Sequence, residues 1–414
     1  MKAYKFRLYP SAGQEKLLTN QLNLCRELYN TFLQQRIYAH KMGKSINYNY
    51  QQNQVPDLKK AFPEFNNIYS QILQDVARRV DRAYDNFFRR IREKKNGKSI
   101  KAGFPRFKSK DRYSSITYTQ SGFRILENGH VWLSKIGGVR MFMHRKLDGE
   151  IKTLTISRDS VGDWFASFSV YISPAMVHTD SGAHDQAGVG IDLGITHLLA
   201  LSNGTFVDAP HFLTKAEKRL KRDQGRLSRK KKGSSNRDSQ KRRVAKRHRK
   251  VKRQREDFIH KVSNHLVRNN RFLAFENLDI QGMVKNHHLA KSIGDASWNT
   301  LVQYTTYKAG SAGKVVVQVN PKGTSRTCSR CGWMKDNLKL SVRIFHCDDC
   351  GLVIDRDLNA AINIYKLGMT GIGRGTPEVT PVEIRALPAM ATPVAEAGSP
   401  GNAGGGCHRS FHIR

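Results

Sequence analysis

The sequence predicts a multidomain α+β protein, and three observations carry that prediction. At 414 residues the chain is too long for one typical core. Its apolar pattern changes period along the chain: helical spacing first, then alternation over Ser114 to Tyr171, then buried strands interleaved with helices. Four cysteines in two C-x2-C pairs stand directly before the last predicted helix.

The first element is a half-buried strand over residues 2 to 9, with Tyr4, Phe6 and Leu8 on one side and Lys5 and Arg7 on the other. Ser11 with Gln14 three residues on forms a capping box, and Leu18, Leu22, Cys25, Tyr29 and Phe32 continue at helical spacing. Cys25 on that stripe is a packing residue. A second long helix is expected from about Asn67 to Lys95, with Ile72, Val76, Val80, Ala83, Phe87 and Ile91 on its apolar face. Its other face carries Gln71, Gln74, Arg78, Arg82 and Arg89, which suit either solvation or phosphate contact. Arg106 and Lys108 interleave with aromatics in Phe104-Pro-Arg-Phe-Lys108, a pattern suited to base stacking with phosphate contact. Period-two runs follow, with Asn128-Gly129 as a hairpin turn, and predict a small antiparallel barrel.

The polar segment from Ser173 to Gln186 is a predicted linker. After it come a buried strand around Asp192, a strand from His197, and a turn at Asn203-Gly204 into a third strand. Residues 212 to 265 form a long helical stretch in which roughly half of positions 215 to 255 are Lys or Arg, read as helices lining an anionic substrate. Arg271 to Glu276 is a buried strand, Trp298 to Tyr307 a helix, Lys314 to Val319 a strand, and Asp357 onward a closing helix. Beyond Gly368 the Gly, Pro, Thr and Ala content predicts a disordered tail. The order strand, hairpin, helix, strand, helix, strand, helix is that of an RNase H-like sheet.

Charge narrows the partners. Lys plus Arg number 71 against 34 Asp plus Glu, a formal net charge of +37 that concentrates polyanions around the chain. No apolar run reaches a membrane span and the chain opens on a strand, so an intracellular, cytoplasmic protein with no membrane partner is expected.

Cys328, Cys331, Cys347 and Cys350, with fifteen residues between the pairs, match a zinc ribbon. Four thiolates fill a tetrahedral ion, so such zinc is structural; an iron–sulfur cluster is the lesser alternative. His346 beside Cys347 is expected outside the ligand set. Three acids have a different character. Asp192 lies amid Gly, Ile and Leu, where burial costs too much unless the group is paired or ligates a metal; Glu276 ends a later strand, and Asp357 or Asp355 opens the closing helix. Two Mg2+ ions gathered by such acids would suit phosphodiester cleavage. For either helix-start acid the alternative role is N-capping.

Taken together, Gly190-Ile-Asp-Leu-Gly-Ile195, Phe275-Glu-Asn-Leu278, the paired cysteines and Asp355-Arg-Asp-Leu-Asn-Ala-Ala-Ile-Asn-Ile364 resemble the TnpB family of transposon-encoded RNA-guided DNA endonucleases, relatives of type V CRISPR effectors. Phe6-Arg-Leu-Tyr-Pro10, Leu73 to Tyr84, Phe104 to Lys108 and Met283 to Ile293 extend the resemblance over nearly the whole chain. It implies a wedge-like β-barrel from residues 1–10 and 105–180 and an inserted helical recognition region over 11–104. It implies a RuvC-like nuclease domain over 187–368 holding a zinc ribbon at 324–352, with a tail over 369–414. It also implies Asp192, Glu276 and Asp357 as a Mg2+-binding catalytic trio, with Asp357 preferred because the family's final acid precedes the Asn-Ala-Ala signature. The implied partners are a guide RNA from the transposon end, one protein per guide, and double-stranded DNA beside a short transposon-adjacent motif. Gln71, Gln74 and Arg78, with Thr117 to Gln120, are candidates for reading that motif. Rival readings are an RNA-bound repressor without cleavage and a conventional transposase.

Overall fold

In the computed structural model the described residues are 1–97, 99–173, 188–339 and 341–373. β1 (Lys2–Tyr9) buries Tyr4, Phe6 and Leu8 as its alternation requires. α1 (Ala12–Lys41) opens on the expected capping box, Ser11 and Gln14 each bonding the other's backbone N–H. Two short helices, α2 (Tyr48–Asn53) and α3 (Val55–Ala61), lead into α4 (Ser70–Lys95), whose Ile72, Val76 and Val80 are buried. There follow β2 (Ser115–Tyr118), β3 (Phe123–Ile125), β4 (His130–Leu133), β5 (Gly137–Phe142), β6 (Glu150–Arg158) and β7 (Trp164–Tyr171). With β1 they form a seven-stranded sheet in the order β2-β6-β7-β1-β5-β4-β3, antiparallel at every pairing. The two edge strands, β2 and β3, are consecutive in sequence, so the sheet curls back on itself; the Tyr118 hydroxyl donates to the Ser134 carbonyl at 3.3 Å across the seam. Gly129 takes φ +75° at the β3–β4 hairpin, the left-handed conformation that its turn needs. One hydrophobic cluster runs through the sheet's interior and under α1 and α4.

The second sheet comprises β8 (Val189–Leu193), β9 (His197–Leu201), β10 (Phe206–Asp208), β11 (Phe272–Glu276) and β12 (Val315–Val319), in the order β10-β9-β8-β11-β12. The first three are antiparallel neighbours, whereas β11 runs parallel to both β8 and β12. Between β10 and β11 the long helical stretch is two helices, α5 (Phe212–Ser228) and α6 (Ser235–Asn269), with a break at 229–234. The break has a local cause: Gly233 takes φ +83°, and the Ser234 hydroxyl caps α6 by accepting the Arg237 N–H at 3.2 Å. α7 (Ile280–Met283), α8 (His287–Ala296) and α9 (Trp298–Ser311) follow β11. After β12 come the cysteine knuckles, a small hairpin of β13 (Ile344–His346) and β14 (Val353–Asp355), and α10 (Arg356–Gly373). α10 continues past Gly368, where the sequence reading ended it. Gly368 lies inside the contact with β11 and β12, where a Cβ would come within 2.8 Å of Ala274 and 3.2 Å of Val317.

The two faces of this sheet are covered differently. Val189, Ile191, Leu193, Leu273 and Phe275 pack with Ile259, Leu266 and Leu301 from α6 and α9. Phe272 and Ala274 pack instead with Ile364 and Tyr365 of α10. Residues 174–187, which include all but the first residue of the predicted Ser173–Gln186 linker, and the tail from 374 lie outside the described residues. Ion pairs tie the first sheet to α6: Arg249 meets Asp159 at 2.9 Å and also Asp163, which Arg7 shares, and Lys241 meets Asp111 at 2.7 Å. Among the described residues no helix is long and apolar enough to cross a membrane.

Candidate active site

Period and register bring three of the predicted acids together. In β8, Gly190 lies directly under α10: a Cβ there would stand 2.1 Å from the Ala361 carbonyl oxygen. Asp192, two residues on, shares that sheet face. Asp357, four residues before Ala361, lies on the same side of the helix one turn nearer its start. β11 repeats the arrangement, since Ala274 faces Gly368 and Glu276 follows it by two. The parallel register pairs Phe275 with Ile191, so its next step brings Glu276 alongside Asp192 at the carboxyl ends of adjacent strands.

The electrostatics record this proximity. Loss of hydration, then the charges of Glu276 and Asp357, push the Asp192 carboxyl up to about 8. Burial also raises Glu276, partly offset by a hydrogen bond that its Oε1 accepts from the Thr324 hydroxyl. Little positive charge answers these acids. Arg356, the neighbouring cation, donates to the carbonyls of Lys339 (3.0 Å) and Val342 (3.3 Å), and Arg343 stands 3.9 Å from Asp357. An all-oxygen donor set short of counter-charge fits a hard divalent cation. Asp355 plays a different part: its Oδ1 accepts the N–H groups of Asp357 (2.9 Å) and Leu358 (3.0 Å), which is helix N-capping.

The cysteines form the tighter cluster. Their sulfur atoms all lie within 4.8 Å of one another, and Cys328–Cys350 and Cys331–Cys347 are each 3.6 Å apart. A tetrahedral ion with bonds of about 2.3 Å separates its sulfurs by about 3.8 Å, so the site fits zinc. Among the described residues this is the only such group of His, Cys, Asp and Glu, and His346 is outside it. Cys25 is fully buried, its thiol pushed up to about 12 by burial.

Sequence reading missed the residues that join cluster to acids. Asn359, fully buried in α10, donates to the Thr327 carbonyl (2.8 Å) and accepts the Ser329 N–H (2.8 Å), bracketing Cys328. Asn363 donates to the carbonyls of Thr324 (2.9 Å) and Thr327 (2.7 Å). The available signal was two asparagines four apart on an otherwise apolar helix face.

Of the five candidates outside this site, Gln71, Gln74 and Arg78 lie on α4, and Arg106 and Lys108 lie between α4 and β2. Gln71 accepts from Thr119 and from the backbone of Gln120 and Ser121 at 3.2–3.4 Å, so it clasps the β2–β3 link to α4. Gln74 is half-buried, and exposed Arg78 donates to the Tyr48 hydroxyl and stacks 5.0 Å over its ring. Arg106 is exposed, whereas Lys108 lies 5.6 Å over Tyr29, its ammonium pKa lowered by burial and then by Arg112 and Arg79.

A "Putative RNA-guided DNA endonuclease" of Streptomyces pristinaespiralis is 33% identical to this chain over 384 residues, 90% of this chain and 91% of that protein. The "Putative RNA-guided DNA endonuclease InsQ" of Escherichia coli K12 is 31% identical over 387 residues, 89% and 92% of the two. This chain belongs to the TnpB family. Family models match this TnpB-family chain in three places: "Probable transposase" over 174–287, "Cas12f1-like, TNB domain" over 298–364, and "Helix-turn-helix domain" over 1–45. The first span holds Asp192 and Glu276, and the second holds Asp357 and all four cysteines. Residues 1–45 fold here as a strand and one 30-residue helix, not as two helices joined by a turn. A solved Cas12f1–sgRNA–target DNA complex shares the fold of this TnpB-family chain, with a TM-score of 0.53 at 17% identity, covering 88% of this chain and 98% of that one.

Proposed function

We propose that the chain is an RNA-guided DNA endonuclease of an insertion sequence, cutting double-stranded DNA with Asp192, Glu276 and Asp357 as its catalytic acids. One observation carries the reading: three carboxylates converge on one face of the β8–β11 edge with little counter-charge, in a chain whose net charge is +37. The sheet order β10-β9-β8-β11-β12 supports an RNase H-like, RuvC-type domain, with the curled sheet as a wedge and α1 to α4 as a recognition region.

In this reading the three acids bind Mg2+, which when bound supplies an activated water and stabilises the leaving 3′ oxygen. Asp192, Glu276 and Asp357 would be the residues that hold the cations, since Asp192 feels the charge of both other acids. Asp355 holds the first turn of α10 and so fixes Asp357. Guide pairing supplies sequence choice, while the protein reads a short adjacent motif and backbone shape. One such site cuts the two strands in succession.

The test is to purify the chain with its copurifying RNA, sequence that RNA, and offer matched duplex with Mg2+. Cleavage is expected from the parent and a loss of at least about 1,000-fold from Asp192→Ala, Glu276→Ala or Asp357→Ala. Variants that cut as well as the parent would remove the site assignment. The description "Probable transposase" favours one rival, strand transfer without a guide, which requires activity on transposon ends in RNA-free preparations.

A further inference from the structure

We infer that Thr324 is a positioning residue for Glu276, and that it is delivered to that acid by the cysteine module. This inference rests on the proposed nuclease reading. Thr324 lies four residues before Cys328, in the connection between β12 and the first knuckle, and is only 4% exposed. Its hydroxyl donates to Glu276 Oε1; the Pro321 carbonyl at 3.3 Å is its alternative acceptor. A hydroxyl has one proton, and the charged acceptor draws the stronger bond.

The threonine is itself held. Its carbonyl accepts from Asn363 of α10, and the turn after it is closed by the Thr327 N–H (3.0 Å) and hydroxyl (2.9 Å), both donating to the Gly323 carbonyl. Thr327 in turn is bound by Asn359 and Asn363, and Cys328 follows it. Hydrogen bonds from α10 thus fix both Thr327, the residue before Cys328, and Thr324, whose hydroxyl meets one oxygen of Glu276. A glutamate at a strand end has three free torsions, and only fixed oxygens meet a cation in the same place at each turnover. With Oε1 held, the carboxylate plane of Glu276 is fixed, and Oε2 would be its oxygen left to meet a cation. The arrangement also explains why a ribbon with no part in bond breaking stands just before α10: it supports the acids on both sides of it.

The decisive comparison is Thr324→Val, which keeps the shape and removes the donor, against Thr324→Ser, which keeps the donor. On the RNA-bound protein, Thr324→Val is expected to raise the Mg2+ concentration for half-maximal cleavage by about 10–100-fold, with the serine variant near the parent. The second readout is independent of activity: Mn2+ binding to the nucleic-acid-free full chain, followed by the electron paramagnetic resonance of free Mn2+. Weaker binding is expected in Thr324→Val and Glu276→Gln and near-parental binding in Thr324→Ser, with zinc content unchanged in all three. If Thr324→Val does not fold, Thr324→Ala is measured in the same two assays. Parental metal dependence and Mn2+ affinity in a folded, donor-free variant overturn the inference while leaving the nuclease reading intact. Parental cleavage by Glu276→Gln instead overturns the nuclease reading itself.

Discussion

Asp192 is a half-buried acid and Asp223 a fully buried one, and their surroundings treat them oppositely. Burial alone would raise the Asp223 carboxyl, but Arg247, Arg243 and Arg222 hold it below its ordinary value. Asp192 has no comparable partner, so burial and two neighbouring acids push it up to about 8 from an ordinary 3.8. Between those values the folded chain holds a proton that the unfolded chain has released. The stabilising contribution is therefore complete below about 4 and is lost as pH rises through about 8. In buffer without added divalent ions, Asp192→Asn is expected to melt a few degrees above the parent at pH 8, with a smaller gap at pH 5. Mg2+ should then stabilise the parent and not the variant. A parent that melts above Asp192→Asn at pH 8 without divalent ions would contradict this account. Asp192 was visible in the sequence because an acid among Gly, Ile and Leu breaks the local pattern. Thr324 was not, since its meaning lies wholly in a partner 48 residues away.

Strands and helices were legible where apolar residues keep a period, as in β1, α4 and β8, because burial on one face leaves that trace in the sequence. The α5–α6 break was hidden in a run where charge obscures any period, and the last turn of α10 was hidden by a glycine that looks like a terminator. Gly190 and Gly368 are instead places where helix and sheet backbones approach. Gly190→Ala puts a methyl carbon 2.1 Å from the Ala361 carbonyl, against backbone that no rotamer change can relieve. It is expected to cost about 1–3 kcal/mol, as overpacked cores do, and to lower cleavage further by displacing Asp357 on the same helix. Gly225→Ala, whose Cβ would meet nothing within 4 Å in the last turn of α5, is the control and should gain a few tenths of a kcal/mol, up to about 1. Equal melting temperatures for Gly190→Ala and the parent would mean that α10 does not lie on β8 in this way.

For the whole molecule, the excess of positive charge has two separable uses, and α6 contains both. Arg249 binds Asp159 and Asp163 in the β6–β7 turn, joining the two sheets through an ion-pair network with Arg7. Lys246 and Lys250, on either side of it in sequence, are exposed. Composition announced a polyanion partner but could not sort these residues, because pairing depends on acids more than 80 residues away. The sorting is measurable through counterion release. Each phosphate contact contributes about 0.9 to the slope of log affinity against log salt for duplex DNA, and about 0.7 for single strands. Lys246→Ala with Lys250→Ala is expected to reduce the slope for nucleic-acid binding by about 1.4–1.8 while leaving the melting temperature near the parent's. Arg249→Ala should do the reverse. It leaves the partly buried Asp159 carboxylate without its cation and Asp163 with Arg7 alone, so the melting temperature falls and the salt slope stays within error of the parent's. If all three substitutions change the slope alike, α6 is uniformly a phosphate-binding surface and the ion-pair network does not join the sheets in solution.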